Sequence, residues 1–470
     1  MFDNSYLDLP DVLRVLQTPA PVPTPRLVAW NHDLAKELGL EDFSGDPKHA
    51  AQVFSGNLVP VDTQPVALAY AGHQFGHFVP QLGDGRAVLL GEVTDRSGVR
   101  FDVQLKGSGR TPFSRGGDGK SVLGPVIREY LVSEAMHRLG VPTTRALAAV
   151  TTGETIMRDS LQPGAVLTRV ARGHVRVGTF EYLAARGDVD ALGRLTDYVI
   201  ERHFPDAVGA PSPALALFEK VTAAQASLVA HWMSLGFIHG VMNTDNTAIS
   251  GETIDYGPCA FMDEFRHDKV FSSIDSYGRY AYQHQPLIAT WNLSRLASCL
   301  LLLDDDRSAF ETMLNRFESI YESHYHARMA DKLGIDDFGP DDVVLLGQWL
   351  AFLEGQELDY SRSFRLLVGR IEDQGPPQFG EFEARWRERV TRSGRTADAI
   401  AGAMDAVNPW VIPRNHQIER AIVGATSGDF HVFHALRDVL SHPFETQPGF
   451  EEFAEPPQVE QRITQTFCGT

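Results

Sequence analysis

Residues His239 to Gly257 read HGVMNTDNTAISGETIDYG, and the rest of the chain is interpreted outward from this stretch. It carries two carboxylates, Asp245 and Asp255, and the amide of Asn246. The intervening residues predict a short hairpin with a strand on each side of Gly251, which would bring Asn246 and Asp255 to a common point. Carboxylate and amide oxygens suit Mg²⁺ or Mn²⁺ bridging phosphates. The simpler interpretation is a turn, because Asn and Asp favour turns without any ligand.

Composition narrows the classes of partner. The 470 residues are 43% hydrophobic, which is enough for a sizeable core. Asp and Glu (61) outnumber Lys and Arg (42), giving a formal net charge of −19. This charge argues against nucleic acid as the main partner, because phosphates would be repelled, but ATP needs only a local basic pocket.

Cysteine content and hydropathy indicate the compartment. Three cysteines, Cys259, Cys299 and Cys468, are too few for a disulfide framework and suit a reducing compartment. The first residues show no basic and apolar signal pattern, and no apolar run approaches about 18 residues. We therefore expect a cytoplasmic protein without a membrane span.

Two polar features before the central stretch lie at the ends of predicted strands. The turn LGDGR at 82–86 runs into an apolar strand at 87–93, and its glycines would let backbone amides approach an anion. Residues 100–106 alternate as a second strand whose polar face ends on Lys106. Taken alone, GDG is a common turn and a strand lysine is usually solvated.

A glycine-rich loop, GSGRTPFSRGGDGKS at 107–121, follows Lys106. Its glycines and cations could surround phosphate. It is not a P-loop, because Ser114 occupies the first glycine position of that motif. The amphipathic helix predicted at 125–139 carries Glu129 and Glu134, either of which could form the lysine–glutamate pair typical of kinase folds.

Two further sets of residues have a functional and a structural interpretation. His73 and His77 stand four apart, like zinc ligands on a helix, but the glycines next to them favour a packed, hydrogen-bonded role. Arg169, Arg172 and Arg176 could form an anion site in an acidic chain, or ordinary surface salt bridges.

The order of elements, strands first and helices after, predicts an α+β fold with two lobes like a protein kinase. Residues 1–180 would form an N-terminal extension and a strand-rich N-lobe with one key helix. Residues 181–470 would form a large helical C-lobe with the catalytic loop 239–257 and a mobile C-terminal tail. The helices predicted in this second part are 215–235, 287–303, 309–333, 341–355, 379–392 and 418–440.

Five motifs in order, QLGDGRA, VQLKGSGRTPFSRGGDGKS, IREYL, HGVMNTDN and IDYGP, closely resemble the SelO (YdiU) family over nearly the whole chain. Proteins of that family are kinase-fold adenylyltransferases. The resemblance implies that ATP binds flipped relative to ordinary kinases. AMP would then pass to Ser, Thr or Tyr hydroxyls of proteins, with pyrophosphate leaving.

The resemblance also implies roles for individual residues. The implied ATP-binding residues are Gly83, Gly85, Arg86, Lys106, Asp118, Gly119, Arg169, Arg176 and Asp255. Glu129 would orient Lys106, and Asp245 would be the general base. Asn246 and Asp255 would ligate Mg²⁺ or Mn²⁺.

One position separates this loop from that of an ordinary kinase. A kinase places its catalytic Asp two residues after the His and its metal-binding Asn seven after. Here the seventh residue after His239 is Asn246, but the second is Val241, so Asp245 is the available base. Phosphate transfer by a Ser/Thr or small-molecule kinase is therefore the weaker alternative. UMP transfer from UTP with Mn²⁺ and a nucleotide-binding pseudoenzyme are the others.

The C-terminal cysteine raises a separate question. Members of the family often carry cysteine or selenocysteine near the C-terminus, and some pair it with a cysteine after the metal-binding Asp. In this chain Cys259 is the cysteine nearest Asp255, so a regulatory Cys259–Cys468 bridge and an unpaired mobile tail are both open.

Overall fold

A computed structural model describes residues 2–61, 63–373, 375 and 377–467, and it shows a mixed α and β protein built on an antiparallel sheet. Eight strands form this sheet in the order β1-β3-β6-β7-β10-β9-β2, with β8 paired to β10, while β4–β5 and β11–β12 form two small two-stranded sheets. The strands are β1 Arg14–Leu16, β2 Arg26–Trp30, β3 Val66–Leu68, β4 Gly72–Gln74, β5 His77–Val79, β6 Ala87–Thr94, β7 Arg100–Lys106, β8 Ser121–Val122, β9 Arg145–Met157, β10 Leu161–Ala171, β11 Phe237–Ile238 and β12 Ala260–Phe261.

Helices dominate after residue 171. The helices are α1 His32–Glu37, α2 Pro47–Phe54, α3 Leu123–Arg138, α4 Val177–Ala184, α5 Val189–His203, α6 Pro213–Leu235, α7 Gln285–Leu300, α8 Arg307–Leu333, α9 Pro340–Gly355, α10 Tyr360–Val368, α11 Gly380–Thr391, α12 Ala397–Asp405, α13 Asn415–Thr426, α14 His431–Leu440 and α15 Glu451–Ala454. Within the described residues, none of these helices combines the length and apolarity needed to cross a bilayer.

The sheet is covered on both faces, as the burial of side chains on both sides of β7 shows. Val103 and Leu105 point into a core shared with Trp30 of β2 and with α1 and α2. Asp102 and Gln104, which alternate with them, are also buried, so the polar face of this strand is interior. Lys106 therefore reaches an enclosed space rather than open solvent.

Helix α3 lies on that second face and is enclosed by distant parts of the chain. Its apolar residues, among them Val126, Ile127 and Tyr130, join a core that extends from the sheet through α6 to the C-terminal helices. On one side α3 contacts β9 and β10, and on the other α13 and α14. The position of α3 thus depends on both ends of the sequence.

Two predictions about local structure are wrong. The residues around Gly251 do not form a two-stranded hairpin; Ala248 instead bridges Arg176, and Thr253 bridges Thr143. The helix predicted over 418–440 is two helices, α13 and α14, separated at Gly428, whose φ of +92° an L-residue rarely adopts.

The C-terminal tail contacts the segment that follows Asp255. Thr466 is buried, its N–H donates to the Phe271 carbonyl (2.7 Å), and its hydroxyl donates to the Pro258 carbonyl (2.5 Å). Mobility of the tail stays a prediction. Cys259 is buried, but Cys468 lies outside the described residues, so the proposed bridge does too.

Candidate active site

A cleft of about 510 Å³ lies between the sheet, α3 and the loop 239–257. All of the residues to which the resemblance assigns a role line it, although these roles stay predictions. They are Gly83, Gly85, Arg86, Lys106, Asp118, Gly119, Glu129, Arg169, Arg176, Asp245, Asn246 and Asp255.

Asp255 is the centre of the charged groups in this cleft. One carboxylate oxygen accepts from Lys106 Nζ (2.8 Å) and from Arg169 (2.6 Å), and the other accepts from Arg176 (3.0 Å). Burial opposes ionisation of this carboxyl, but the three cations together hold the pKa of Asp255 well below its usual range. Its φ of +65° is unusual for a residue other than glycine and marks a backbone held by its surroundings.

Lys106 joins the strand β7 to the helix α3 through Glu129. The Lys106 Nζ donates to Glu129 at 2.6 Å, and Arg169 lies 3.5 Å from the other oxygen of the same carboxylate. Glu134, the other candidate partner for the lysine, pairs with Arg145 instead (2.8 Å). The structure therefore selects Glu129 from the two glutamates that the helix offers.

Asp245 is buried, and its two carboxylate oxygens differ in their hydrogen bonding. Oδ2 accepts from Gln74 Nε2 at 3.3 Å, while Oδ1 is buried without a hydrogen-bond partner among the described residues. Burial raises the pKa of Asp245 to about 6, although Arg176 and the Gln74 hydrogen bond oppose the rise. A carboxyl with a pKa this close to neutrality suits proton transfer.

The backbone around Asp245 is held by its neighbours in the loop. Arg176 donates to the Asp245 carbonyl oxygen (2.7 Å), and Asn246 Nδ2 donates to the Val241 carbonyl (2.9 Å). His239 is buried and bonded to the Ile254 carbonyl (2.9 Å). Val241, at the position of a kinase base, lines the cleft with an aliphatic side chain.

The glycine-rich loop closes the cleft on the side of the sheet. Gly109 N–H donates to the Gly119 carbonyl (3.0 Å), and a Cβ at Gly119 would lie 2.2 Å from the Gly109 oxygen. A Cβ at Gly83 would likewise collide with the Phe113 ring, so this glycine lets the loop pack down on the 82–86 turn. Asp118 is held by Arg158, each carboxylate oxygen at 2.9 Å.

Sequence reasoning missed several polar residues of the cleft and its border, among them Tyr70, Gln74, Asp84 and Arg158. Tyr70 lies under the Arg176 guanidinium (4.5 Å), and Asp84 accepts from Leu68 N–H (3.1 Å). Burial raises the pKa of Asp84 to about 6. Asp84 is part of the LGDGR turn, so this motif could have identified it as a residue of the cleft. No motif surrounds Tyr70, Gln74 or Arg158.

The two histidines have separate roles. His73 Nδ1 lies 2.5 Å from Glu181, and its backbone N–H donates to the Thr244 hydroxyl (2.6 Å). His77 is exposed on β5. His73 thus has the packed, hydrogen-bonded role that was the alternative to zinc, and it ties β4 to the residue before Asp245.

The donor atoms fit a hard divalent cation. The three cations that hold the pKa of Asp255 well below its usual range favour its carboxylate form, Asn246 offers an amide oxygen, and Asp245 lines the same cleft. An all-oxygen set with few carboxylates is typical of Mg²⁺ or Mn²⁺ that also binds phosphates and water. No cluster of three or more His, Cys, Asp or Glu suited to a metal occurs in the described part of the chain.

Comparison with known proteins gives consistent matches over the chain. The family model described as "Protein adenylyltransferase SelO" matches residues 5–441. A protein of Rhodopseudomonas palustris (strain ATCC BAA-98 / CGA009) named protein nucleotidyltransferase YdiU is 53% identical, with 100% of this chain and 99% of that protein covered. A Rhizobium etli (strain CIAT 652) protein of the same name is 52% identical, with coverage of 100% and 97%.

Proposed function

Because this chain belongs to the SelO family of protein adenylyltransferases, and so is a nucleotidyltransferase, we propose that it transfers AMP from ATP to Ser, Thr or Tyr hydroxyls of proteins. In the proposed orientation the α-phosphate of ATP faces the acceptor, and pyrophosphate leaves. The acceptors are proteins, and Mg²⁺ or Mn²⁺ accompanies the nucleotide.

The cations of the cleft would bind the triphosphate. Lys106, Arg169 and Arg176 converge on Asp255 within 3.0 Å, so their charges are already oriented toward one point before a ligand arrives. Glu129 holds Lys106 from the other side and fixes its direction. Asn246 and Asp255 would hold the metal, which would supply positive charge beside the phosphates.

Asp245 would act as the general base. Its carboxylate accepts the proton of the incoming hydroxyl while the hydroxyl oxygen forms a bond to the α-phosphorus. The bond from that phosphorus to the bridging oxygen breaks, and its electron pair leaves with pyrophosphate. The observation that carries this assignment is the buried, unpartnered Oδ1 of Asp245 beside a cluster of cations, with aliphatic Val241 where a kinase has its base.

We also propose that the chain divides into two kinase-like lobes, residues 1–180 and 181–470. The strand-rich part before residue 172 and the helices that follow support this division. Lys106 and Glu129 would belong to the first lobe, and Asp245, Asn246 and Asp255 to the second.

The position of the label in ATP tests the proposed function. Purified protein is incubated with cell lysate and either α-labelled or γ-labelled ATP, with α-labelled UTP in parallel. We expect protein-bound label from the α-labelled ATP only. Transfer of the γ-label would instead establish a kinase, and equal or stronger transfer from UTP would establish UMP transfer.

Replacement of the base tests the mechanism. Asp245→Asn keeps the size of the side chain but cannot accept the proton, so AMP incorporation is expected to fall on the order of 100-fold or more. ATP binding, measured by calorimetry, should be largely kept. Asp398→Asn, on the exposed first turn of α12, is the control and should behave like wild type. Normal labelling by Asp245→Asn would contradict the assignment.

A further inference from the structure

A second groove, of about 540 Å³, shares no lining residue with the cleft that contains Asp245. Its walls are the β4–β5 turn, residues 274–279 and the first turn of α7. Three large apolar side chains around it face solvent: Ile274 is 57% exposed, Tyr277 98% and Leu287 66%. Exposed apolar side chains clustered around a groove are typical of a surface that binds another polypeptide.

Hydrogen bonds connect the groove to the loop that carries the proposed base. Phe75 N–H and the Tyr280 hydroxyl both donate to Asn243 Oδ1, at 3.1 and 2.6 Å. Asn243 lies two residues before Asp245, and Gln74, next to Phe75, donates to Asp245 itself. A chain bound in this groove would therefore lie against Phe75, whose neighbour Gln74 contacts Asp245.

Arg279 supplies a cation with no acidic partner among the described residues of this groove. Its guanidinium lies over the Trp291 ring (4.8 Å) and beside Gly76, and Nε is buried without a hydrogen-bond partner there. The nearby Asp275 carboxylate is committed to the backbone N–H groups of Arg279 (2.9 Å) and Tyr280 (2.8 Å). No carboxylate in the described part of the chain forms an ion pair with this guanidinium.

The other titratable groups of the groove do not neutralise Arg279. His284 Nδ1 is bonded to the Gly278 carbonyl (2.7 Å), and His77 is exposed. A guanidinium held on a ring and without an acid among the described residues is complementary to an anionic ligand.

We propose that this groove binds the acceptor polypeptide through an acidic side chain. A Glu or Asp of the acceptor pairs with Arg279, and an apolar residue packs on Ile274, Tyr277 and Leu287. The acceptor hydroxyl is then carried to Asp245. Only this last step rests on the proposed function, because binding of an acidic segment to Arg279 is independent of AMP transfer.

Binding of fluorescent peptides to the full chain tests the surface directly. Three dodecapeptides share a serine and a leucine and carry Glu, Gln or Lys at one further position. Fluorescence anisotropy is expected to show that the Glu peptide binds on the order of tenfold more tightly than the Gln peptide. Arg279→Ala should remove this difference, and Arg279→Glu should reverse the preference toward the Lys peptide.

Arg295→Ala is the matched control, because Arg295 also lies over the Trp291 ring (5.2 Å) but does not line the groove. It should keep the wild-type preference. Thermal unfolding and ATP binding of all three variants confirm that each is folded. If Arg279→Ala keeps the preference for Glu, or if the wild type shows none, the proposed surface is wrong.

Labelling with α-labelled ATP separates this inference from the proposed function. If proteins in a lysate are labelled but the wild type binds the three peptides equally, the function stands and the groove proposal falls. If the Glu peptide binds through Arg279 but no protein is labelled, the proposed binding surface is supported and the proposed AMP transfer is wrong.

Discussion

Burial and nearby hydrogen-bonding or charged groups shift the pKa of Asp245 in opposite directions, and the resulting pKa should determine how the rate of AMP transfer depends on pH. Burial raises the pKa of its carboxyl to about 6, against the attraction of Arg176 and the hydrogen bond from Gln74. Only the ionised form can accept a proton, so the rate of AMP transfer should fall as the pH drops through this region and level off above it. A cation bound beside Asp245 lowers the pKa, so about 6 is the upper end of the expected midpoint. A profile of kcat from about pH 5 to 8 measures it, and a rate that rises toward the acidic end would contradict the assignment of Asp245 as a base.

Replacing Gln74 with Leu should move that midpoint upward. The Gln74 amide donates to Asp245 Oδ2 (3.3 Å) and so stabilises the ionised form. Without this hydrogen bond the carboxyl holds its proton to a higher pH, and the rate near pH 6 should fall more than the rate near pH 8. An unchanged midpoint would show that Asp245 does not set the pH dependence, and Asp84, whose pKa burial also raises to about 6 and which is hydrogen-bonded to Gln104, would then be the next carboxyl to replace.

For single residues, sequence reasoning found members of the cleft where a side chain had a recognisable neighbour pattern. Lys106 was identified because it ends an alternating strand before glycines, and Val241 because the spacing from His239 is fixed in kinases. Tyr70 and Gln74 reach the site only through folding, since each lies more than 100 residues before the groups it contacts. No local pattern marks such a residue.

Strand β4 packs against the loop that carries Asp245, and Gly72 lies next to the Asp245 side chain. A Cβ at Gly72 would lie 2.4 Å from Asp245 Oδ1. Its φ is in the ordinary range, so Gly72→Ala should fold and displace the carboxylate instead. We expect AMP transfer to fall by about 10–100-fold with ATP binding kept, because a misplacement near 1 Å costs a reaction about that much.

A glycine in open space provides the control for this prediction. A Cβ at Gly347 of α9 would have nothing within 4 Å, so Gly347→Ala should leave the rate unchanged and stabilise the helix slightly. Equal rates for Gly72→Ala and the wild type, measured under saturating ATP, would show that β4 does not set the position of Asp245.

Strands and helices were predicted well where the pattern of apolar residues within the segment is enough to identify them. The strand at 100–106 and the long helices α6 and α8 have the residues that alternation and helical periodicity indicate. The hairpin around Gly251 was wrong because its backbone pairs with Arg176 and Thr143, partners that no local pattern can show. The division between α13 and α14 depends on a left-handed Gly428, and a glycine within a helical pattern does not by itself reveal its φ.

For the whole molecule, the C-terminal helices hold the helix that carries Glu129. Arg128 pairs with Glu419 of α13 (2.5 Å), and the Tyr130 ring packs edge-on against Phe433 of α14 (5.8 Å between centroids). Both neighbours of Glu129 in the sequence are thus fixed by residues from the far end of the chain. The sequence order predicted strands before helices, but it could not predict that α13 and α14 would return to pack against α3.

Truncating Phe433 tests this long-range support. Phe433 is fully buried, so Phe433→Ala should lower the free energy of unfolding by about 3–5 kcal/mol. Because α3 loses its packing partner, Lys106 is held less firmly by Glu129, and the Kd for ATP should rise at a temperature where the variant is still folded. Phe467→Ala, at a residue 67% exposed, should change the free energy of unfolding by less than about 0.5 kcal/mol. Denaturant unfolding and calorimetric titration measure the two quantities, and a destabilised Phe433→Ala protein that binds ATP as tightly as the wild type would show that the sheet alone positions α3.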